Sequence, residues 1–474
     1  MRKNNKRLII TLIGPVLFIL CYFLIPDHIF GSVKANAAVG TVAWMAFWWI
    51  TGCVDFAVTA FLPIAVNAVF SITDMASVIS NYASETILLL LGASIITASW
   101  EETGLDRRIA ARFLSLVGNK LRTQIVFWFI LCALLSAILP NAVVCAAMTP
   151  IAVSMLRYVG IDDIGKSRIG SILLLTIAYA TGVGGLASPL GGAMNLVTVD
   201  YLEQVTGKEF MYAAWVVRFL PIMLVLVVSN IIMLLLFCKK NDELGASKDY
   251  FREQYRALPK MTREEGLSLT LFLIATALSF TRQLYQAYLP DLKPAYVFII
   301  CAILSFFITK KDGARLMVWK STQKKIVWDL IYVFAGGLAL GTLINKSGAA
   351  KSIGELVAGA DLKGGFFLVF GIIALTVILS DITSNTATAA VAMPIVISIV
   401  NGLGENPIPY IYIASIGVNL SYMLPTSIRA IPVGYGLEPK FMLKRGVPIT
   451  VVVIILMSLT AYLLMRFWPA FSTI

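Results

Sequence analysis

The chain has 474 residues, of which 59% are hydrophobic and 14% are charged, and its mean hydropathy is +0.85. Soluble proteins carry about 25% charged residues, so this composition excludes a soluble globular protein and predicts an all-α polytopic membrane protein. The net charge of +12 is typical of basic residues that flank membrane helices and set their orientation. It does not indicate a nucleic-acid partner. The six cysteines and the one histidine show no metal-ligand or disulfide spacing.

The first apolar run, residues 8–25, follows a basic segment at positions 2–7. Together with Ala35-Asn36-Ala37 it has the outline of a cleavable signal peptide. At about 18 residues the run is longer than the apolar core of a usual signal peptide. We therefore favour an uncleaved first helix and keep the signal peptide as the alternative.

The rest of the chain alternates between apolar runs and short polar breaks. The runs are 38–51, 54–70, 86–100, 124–139, 143–156, 169–181, 189–199, 211–237, 267–288, 295–309, 326–344, 365–382, 387–401, 409–424, 427–437 and 446–467. A helix that crosses the hydrocarbon core needs about 20 residues. Eleven transmembrane helices plus two re-entrant hairpins account for these lengths.

The basic residues predict the orientation. With the N-terminus in the cytoplasm and both hairpins returning to their own side, 28 of the 38 Lys and Arg residues lie inside, as the positive-inside rule requires. Six lie outside, at positions 34, 208, 293, 346, 351 and 363. This arrangement predicts a multi-pass protein of the cell membrane whose C-terminus is extracellular.

Two parts of the chain repeat one another at an offset of 244 residues. Between 131 and 154, nine of 24 positions match their partners 244 residues later. The same offset relates several punctuating residues: Gly92 and Gly336, Gly104 and Gly348, Asn141 and Asn385, Pro150 and Pro394. We therefore divide the chain into a first half, 1–238, with helices 1–6; a solvated cytoplasmic linker, 239–265; and a second half, 266–474, with helices 7–11.

Each half contains one predicted hairpin, the inner at about 124–157 and the outer at about 364–401. Their arms have about 16 and 14 apolar residues on either side of Asn141 and Asn385, or about 21–24 Å each, which is short of a full crossing. Charge placement puts one tip on each side of the membrane, so the repeats are inverted and the tips can meet near the midplane. Two ordinary spans with a polar break are the alternative.

The hairpin tips predict an anion site. The second arm of each begins just after the break, and a helix N-terminus offers free N–H groups and about half a positive charge. Asn141 and Asn385 add amide donors, and Ser384 and Thr386 add hydroxyls. Helix capping alone is the competing interpretation.

A second pair of breaks lies at 180–189 and 424–432, where the offset is 243. Glycines such as Gly184 and Gly185 let the backbone approach a ligand. Arg429, whose partner at this offset is Leu186, presents a fork that matches a carboxylate. The alternatives for Arg429 are snorkelling to an interface and pairing with Asp381, which itself could support the hairpin or carry a proton or ion role.

These residues resemble the divalent-anion/sodium symporter family, the INDY-type di- and tricarboxylate carriers. Ser384-Asn385-Thr386 in SDITSNTATAAVAMP is similar to that family's second SNT motif, and RIGSILLLTIAYATGVGGLASPLGG is similar to its first broken helix. The resemblance implies a homodimer with scaffold and elevator-type transport domains. It also implies a C4 dicarboxylate, 2-oxoglutarate or tricarboxylate substrate. The candidate substrate-binding residues are Asn141, Ala142, Gly184, Gly185, Ser384, Asn385, Thr386, Pro425, Thr426, Ser427 and Arg429.

Two departures from the family pattern bear on sodium. Pro140-Asn141-Ala142 replaces an SNT motif, and Pro425-Thr426-Ser427-Ile428-Arg429 stands where the sodium-coupled members carry a TPPN-like stretch. Hydroxyls are lost at one tip and a fixed cation is gained near the other. The likeness is therefore closest to the sodium-independent dicarboxylate exchangers, and we expect no metal and no cofactor. In the alternative, a sodium-coupled symporter, Asn141, Gly184, Thr383 and Asn385 would hold the ion.

Other functional classes have less support. An intramembrane enzyme lacks the residues for hydrolytic or zinc chemistry, since His28 is the one histidine and no HExxH motif is present. A channel would need a ring-forming filter sequence, and none is evident. Carriers of inorganic oxyanions with the same architecture stay open as an alternative substrate class. The predicted partners are thus a small di- or tricarboxylate, membrane lipid and a second copy of the chain.

Overall fold

The computed structural model describes residues 2–116, 118–245, 247–311, 313–358 and 364–474. Within these ranges the regular structure is helical, apart from two isolated β-bridges, Lys120 to Glu243 and Thr309 to Arg315. The all-helical class predicted from composition is confirmed. Lys363, one of the basic residues assigned to the outer side, lies outside the described residues.

The helices follow the predicted apolar runs closely. Those before the linker are α1 (Arg2–Leu24), α2 (Asp27–Phe30), α3 (Val33–Thr51), α4 (Phe56–Thr59), α5 (Leu62–Phe70), α6 (Met75–Ile79), α7 (Glu85–Thr103), α8 (Leu105–Leu114), α9 (Leu121–Ile138), α10 (Asn141–Tyr158), α11 (Arg168–Gly185), α12 (Ala193–Thr206) and α13 (Tyr212–Leu236).

The linker contains α14 (Ser247–Ala257), and the remaining helices follow it. They are α15 (Arg263–Phe280), α16 (Arg282–Tyr285), α17 (Pro294–Ser305), α18 (Trp319–Thr322), α19 (Trp328–Lys346), α20 (Ala349–Ala358), α21 (Phe366–Ile382), α22 (Asn385–Gly402), α23 (Pro407–Asn419), α24 (Ala430–Gly434) and α25 (Pro439–Phe467). Short 3-10 helices lie at Ser80–Ala83, Pro189–Gly191, Ser427–Arg429 and Pro469–Ser472.

Among the described residues, eight helical stretches are long and apolar enough to cross a membrane. Three of them, α9, α10 and α22, are arms of the predicted hairpins. Four shorter apolar helices, Leu8–Leu24, Phe56–Phe70, Pro294–Ser305 and Phe366–Ile382, supply further candidates. The structure is thus that of a multi-pass membrane protein, and the count of eleven crossings stays a prediction.

The internal repeat is visible in the backbone. Gly104 and Gly348, 244 residues apart, both adopt left-handed φ angles, +76° and +85°, directly after α7 and α19. A side chain is strained in that conformation, so glycine serves both helix ends. Gly92 and Gly336 are matched in a second way, because the backbones of Phe298 and Ala60 approach them too closely for a Cβ.

The two breaks at the asparagines lie where the sequence predicts them. α9 ends at Ile138 and α10 begins at Asn141, while α21 ends at Ile382 and α22 begins at Asn385. The arms have 18, 18, 17 and 18 residues, which at about 1.5 Å per residue is about 26–27 Å. They are longer than the apolar runs suggested. Arm length therefore does not distinguish a re-entrant hairpin from two spans, and the hairpins stay a prediction.

The second pair of breaks corrects the predicted offset of 243. The hydroxyl of Ser188 donates to the carbonyl of Ala137, and the hydroxyl of Thr426 donates to the carbonyl of Asp381 at 3.0 Å. Ala137 and Asp381 are 244 apart, but Ser188 and Thr426 are 238 apart, as are the 3-10 helices Pro189–Gly191 and Ser427–Arg429. The pairing of Arg429 with Leu186 is therefore wrong, and the structural counterpart of Arg429 is Gly191.

The linker is more than a solvated connector, which corrects the sequence-based interpretation. Its helix α14 packs against α8 and α10, and Phe251 on it is only 1% exposed. Asp242 accepts two hydrogen bonds from Arg168, at 2.5 and 2.7 Å. The second half begins earlier than residue 266, because Thr262 and Glu265 form a capping box that starts α15 at Arg263.

The two halves interlock. α9 packs along α11, and α21 packs in the same way along α23. The second arm of each predicted hairpin then contacts the other half: α10 lies against α24 and the 3-10 helix Ser427–Arg429, and α22 lies against α12. Each asparagine-bearing break is thus held beside a broken helix.

Candidate functional site

The first break presents an uncapped helix N-terminus. α10 follows Pro140, which has no hydroxyl, and no side chain caps it. Asn141 is buried, and a Cβ added at Gly185 would lie 3.3 Å from its amide nitrogen. Glycine at 185 therefore leaves room for the Asn141 amide between α10 and the end of α11. The N–H groups of Val143 and Val144 donate to the Pro140 carbonyl, so the N–H groups of Asn141 and Ala142 are the ones available to an anion.

The second break is built differently. The Ser384 hydroxyl accepts from the backbone N–H of Ala387 at 3.1 Å, which is an ordinary helix cap. Asn385, 2% exposed, accepts from Ser421 at 3.4 Å and from Arg429 at 3.2 Å through its Oδ1. The capping interpretation is thus sufficient for Ser384. Asn385 instead anchors a buried polar cluster.

Arg429 is buried within that cluster, with 1% of its surface exposed. Its guanidinium donates to Asn385 and, at 3.3 Å, to the Thr426 hydroxyl. Snorkelling to an interface is excluded by this burial. A buried guanidinium whose side-chain partners are neutral is costly unless an anion approaches it.

Asp381 is not the hydrogen-bonded partner of Arg429. Its Oδ1 accepts backbone N–H groups of the broken segment, from Tyr422 and Met423 at 2.8 Å and from Leu424 at 3.4 Å. The carboxylate therefore holds the extended stretch between α23 and Ser427 in place, which favours its supporting role at the hairpin. It also supplies a negative charge within electrostatic range of the Arg429 guanidinium.

Several polar atoms around this cluster are buried without a partner among the described residues. Two are donors, the Nε of Arg429 and the Nδ2 of Asn385. The other three are oxygen atoms: Oδ2 of Asp381, Oγ1 of Thr388 and Oδ1 of Asn419. Buried groups of this kind are rare in folded proteins and cost free energy. Their concentration at one break is typical of a binding site.

Two contacts connect the first break to the second. Cys145, one turn into α10, approaches the carbonyl of Ile428 with its Sγ at 3.5 Å. Asn195 donates to the carbonyls of Gly185 and Ser188 at 2.7 and 2.8 Å and accepts from Asn419 at 2.8 Å. The broken ends of α11 and α23 are therefore fixed relative to each other by two amides.

A cavity of about 730 Å³ leads towards the first break. One wall is the face of α10 that starts at Val143, two residues after Asn141, and the opposite wall comes from α8 and α14. Glu101, Asp106, Arg107 and Lys325 bring two negative and two positive side chains to it, and burial raises the pKa of Asp106. The cavity therefore borders the first turns of α10, and Asn141 is not among the residues that line it.

The predicted residues divide into three groups. Asn385, Thr426 and Arg429 are joined by hydrogen bonds. Asn141 lies beside Gly185, and its helix, α10, contacts the carbonyl of Ile428, next to Arg429, through Cys145. Ser427 is exposed and has a left-handed φ of 52°. Ala142, Gly184, Ser384, Thr386 and Pro425 flank the breaks without a hydrogen bond that joins them to Arg429 or Asn141.

Sequence reasoning missed three polar residues that complete the cluster, Asn195, Asn419 and Ser421. Each lies within or at the edge of an apolar run and is almost fully buried. A buried amide must find hydrogen-bond partners. Polar residues inside apolar runs were thus the signal that could have found them.

Three of the residues expected to hold sodium in the symport alternative have oxygens that are already engaged in hydrogen bonds. The Thr383 hydroxyl donates to the carbonyl of Trp49, and Oδ1 of Asn385 accepts from the Arg429 cation. At the first break, the Gly184 carbonyl accepts backbone N–H groups of Leu186 and Ala187. An ion cage needs free oxygens and no adjoining fixed cation, and the unpartnered oxygens at the second break belong instead to Asp381, Thr388 and Asn419.

Comparison with solved structures defines the class. The chain resembles the YdaH transporter of Alcanivorax borkumensis with a TM-score of 0.55 and 11% identity, over 83% of this chain and 88% of that one. It resembles MtrF of Neisseria gonorrhoeae with a TM-score of 0.53 and 13% identity, over 89% and 96%. At these identities the likeness concerns the fold alone, and the fold is that of a helical membrane transporter.

The family follows from sequence comparison. Residues 46–417 match the citrate transporter model, CitMHS, so the chain belongs to the citrate transporter family. A relative in Staphylococcus saprophyticus, the sodium-dependent dicarboxylate transporter SdcS, is 28% identical over 98% of this chain and 93% of its own length. SdcS of Staphylococcus aureus strain MRSA252 is 27% identical over 98% and 92%. The family resemblance expected from the sequence is confirmed, and the family is one of transporters rather than enzymes.

Proposed function

We propose that the chain is a secondary active transporter of C4 dicarboxylates of the succinate, malate and fumarate class and of 2-oxoglutarate. It resides in the cell membrane with a cytoplasmic N-terminus, and it exchanges substrates without sodium. The observation that carries this proposal is the buried Arg429, hydrogen-bonded to Asn385 and left with an unpartnered Nε.

The donor chemistry suits a dianion with two ends. Arg429 Nε and Asn385 Nδ2 are buried donors that need acceptors, and a carboxylate supplies them with charge-assisted hydrogen bonds. The uncapped N-terminus of α10 offers a second set of donors at the other break. A C4 dicarboxylate carries one carboxylate for each set, and the two contacts through Cys145 and Asn195 hold the sets in a fixed relation.

The fixed cation favours exchange. Where a bound ion would neutralise substrate charge, Arg429 carries that charge permanently. An empty site would move across the membrane with a guanidinium that has no anion hydrogen-bonded to it, which is costly. Return of the carrier therefore requires a second anion, and this is the behaviour of an antiporter.

Movement by an elevator mechanism is part of the proposal. The broken helices α11 and α23 pack with the hairpin arms α9 and α21, while α7 packs on α15 and α17. In this proposal the first group belongs to the transport domain and the second group to the scaffold domain. A homodimer anchored through its scaffold, surrounded by membrane lipid, would give the moving domain a fixed reference.

Sodium-coupled dicarboxylate symport is the competing function. It is favoured by the relatives named sodium-dependent at 27–28% identity. It is disfavoured by the Arg429 cation beside Asn385. It is also disfavoured at the first break, where alanine at position 142 supplies no hydroxyl oxygen for an ion. Transport of citrate or of an inorganic oxyanion would keep the fold and change only the substrate.

Counterflow in proteoliposomes tests the proposal. Vesicles loaded with unlabelled succinate should take up labelled succinate to the same extent in sodium and in choline medium, and empty vesicles should take up little. Malate, fumarate, 2-oxoglutarate, citrate and sulfate serve as internal counter-substrates. Uptake that disappears in choline assigns sodium symport, and counterflow supported by sulfate but not by dicarboxylates assigns an oxyanion carrier.

A further inference from the structure

A carboxyl group outside the dicarboxylate site joins two groups of helices. Asp200 lies on α12, and its Oδ1 accepts a hydrogen bond of 2.7 Å from the hydroxyl of Thr86 on α7. Its Oδ2 is shielded from solvent and has no partner among the described residues. α7 packs on α15 and α17, whereas α12 packs on α22 and α23. The contact therefore links the two parts that the proposed mechanism moves apart.

The surroundings of Asp200 are acidic. Glu203 on α12 and Glu85 at the start of α7 both add negative charge. The cation of this region, Lys293 before α17, pairs with Glu85 at 2.9 Å, and Tyr296 of α17 also donates to Glu85. Among the described residues no salt bridge is formed by Asp200, whose one donor is a neutral hydroxyl.

The other ionisable groups nearby are neutral or already paired. Tyr201, next to Asp200 on α12, and Tyr212 of α13 are phenols within electrostatic range. Glu209 lies beyond them and is held by Arg282 at 2.8 Å. In the described part of the chain, α19, α22 and α23 bring no charged group that acts on the Asp200 carboxyl.

We infer that Asp200 is a proton-binding site that ties α12 to α7, and that release of its proton loosens this contact during transport. A shielded carboxylate with one neutral donor is expensive, and a proton on Oδ2 removes the charge. Without that proton, Asp200 repels Glu85 across the α7–α12 contact. The coupling to transport rests on the proposed carrier function, whereas the proton site itself does not.

The position of Asp200 on α12 connects it to the substrate site. Asn195 lies five residues earlier on the same helix and holds the carbonyls of Gly185 and Ser188. α12 also contacts α22, which begins at Asn385. A change in how α12 rests on α7 is therefore transmitted as a movement of the whole broken segment.

The proton site is tested without substrate, by thermal unfolding of the purified protein in detergent between about pH 5 and about pH 9. Asp200→Asn mimics the protonated form. The variant should unfold at a higher temperature than the wild type, and this difference should be smallest at the acidic end and grow as pH rises. Asp291 is exposed on a loop of the same region, and Asp291→Asn is the control. Its unfolding temperature should differ from that of the wild type by the same amount at every pH.

A second variant separates titration from simple loss of packing. Thr86→Val keeps the carboxyl and removes its donor, so its stability should continue to fall to a higher pH than that of the wild type. A difference between Asp200→Asn and wild type that does not vary with pH overturns the proton site, as does a Thr86→Val profile parallel to that of the wild type.

Coupling is tested by succinate counterflow at the same pH values. The wild-type rate should rise with pH, by up to about tenfold per unit through the titration, and Asp200→Asn should stay near the wild-type acidic rate. Equal pH profiles in both proteins refute the coupling. Absence of any counterflow refutes the carrier function, and the unfolding experiment then decides the proton site by itself.

Discussion

Replacement of Arg429 by alanine is the most direct test of the substrate site. The guanidinium donates to Asn385 at 3.2 Å and to Thr426 at 3.3 Å, and its Nε is free. If a carboxylate binds there, truncation removes one partner of a buried, hydrogen-bonded charge pair. Such truncations cost about 2–5 kcal/mol. At about 1.4 kcal/mol per factor of ten, dicarboxylate affinity should fall by about 30- to 4,000-fold.

The folded protein should survive the change. Removing Arg429 removes the desolvation cost of a buried charge with neutral hydrogen-bond partners, and the nearby Asp381 carboxylate keeps its three backbone N–H donors. Binding is measured by isothermal titration calorimetry with succinate in detergent, and folding is followed by size-exclusion chromatography and thermal unfolding. Arg429→Lys keeps the charge and loses the planar fork, so its affinity should lie between those of the wild type and the alanine variant.

Arg218 supplies the matched control. It is also buried, but it donates to the carbonyls of Ala470 and Thr473 near the C-terminus. Arg218→Ala should lower stability and leave succinate affinity within about twofold, since its hydrogen bonds are structural. The reasoning fails if Arg429→Ala binds succinate as the wild type does, or if Arg218→Ala loses the same affinity.

Two further predictions concern the breaks. Gly184→Ala would place a Cβ 2.8 Å from the carbonyl carbon of Ala133, so unfolding should become easier by about 1–3 kcal/mol; Gly182→Ala, whose nearest contact is 3.7 Å, should be tolerated, and equal losses in the two variants would contradict the packing argument. Asn195→Leu removes the amide donor of the buried Gly185 carbonyl and one of the two donors of the Ser188 carbonyl, whose other donor is the Gly191 N–H, and should cost about 1–3 kcal/mol. Unchanged thermal stability of that variant would show that water or relaxation replaces the amide.

Much of the fold could be predicted from local chemistry. Apolar run length gave the helices, because a polar backbone in hydrocarbon must satisfy its hydrogen bonds internally. The matched glycines and asparagines predicted the helix ends, because caps and left-handed residues act within one turn. Asn385, Thr426 and Arg429 could be singled out as polar or charged residues inside apolar segments, where they are expensive without a purpose.

Other features could not be read from the sequence. Pro189 and Gly191 match Pro432 and Gly434 at an offset of 243, but the hydrogen bonds from Ser188 and Thr426 relate the two breaks at an offset of 238. The repeat therefore matches Arg429 with Gly191, where a Cβ would meet the carbonyl of Ser136 at 2.7 Å. Similarity of small residues cannot distinguish two registers, whereas backbone hydrogen bonds can.

The sequence by itself determined that this is a duplicated membrane carrier with two polar breaks in each half. It determined this because hydropathy, charge placement and helix punctuation are local properties. The tertiary structure decided which breaks face each other, that Asn195 and Asn419 join them, and that α14 docks on α8 and α10. Those contacts join residues far apart in the chain, and they depend on how buried polar groups find partners once the helices have packed.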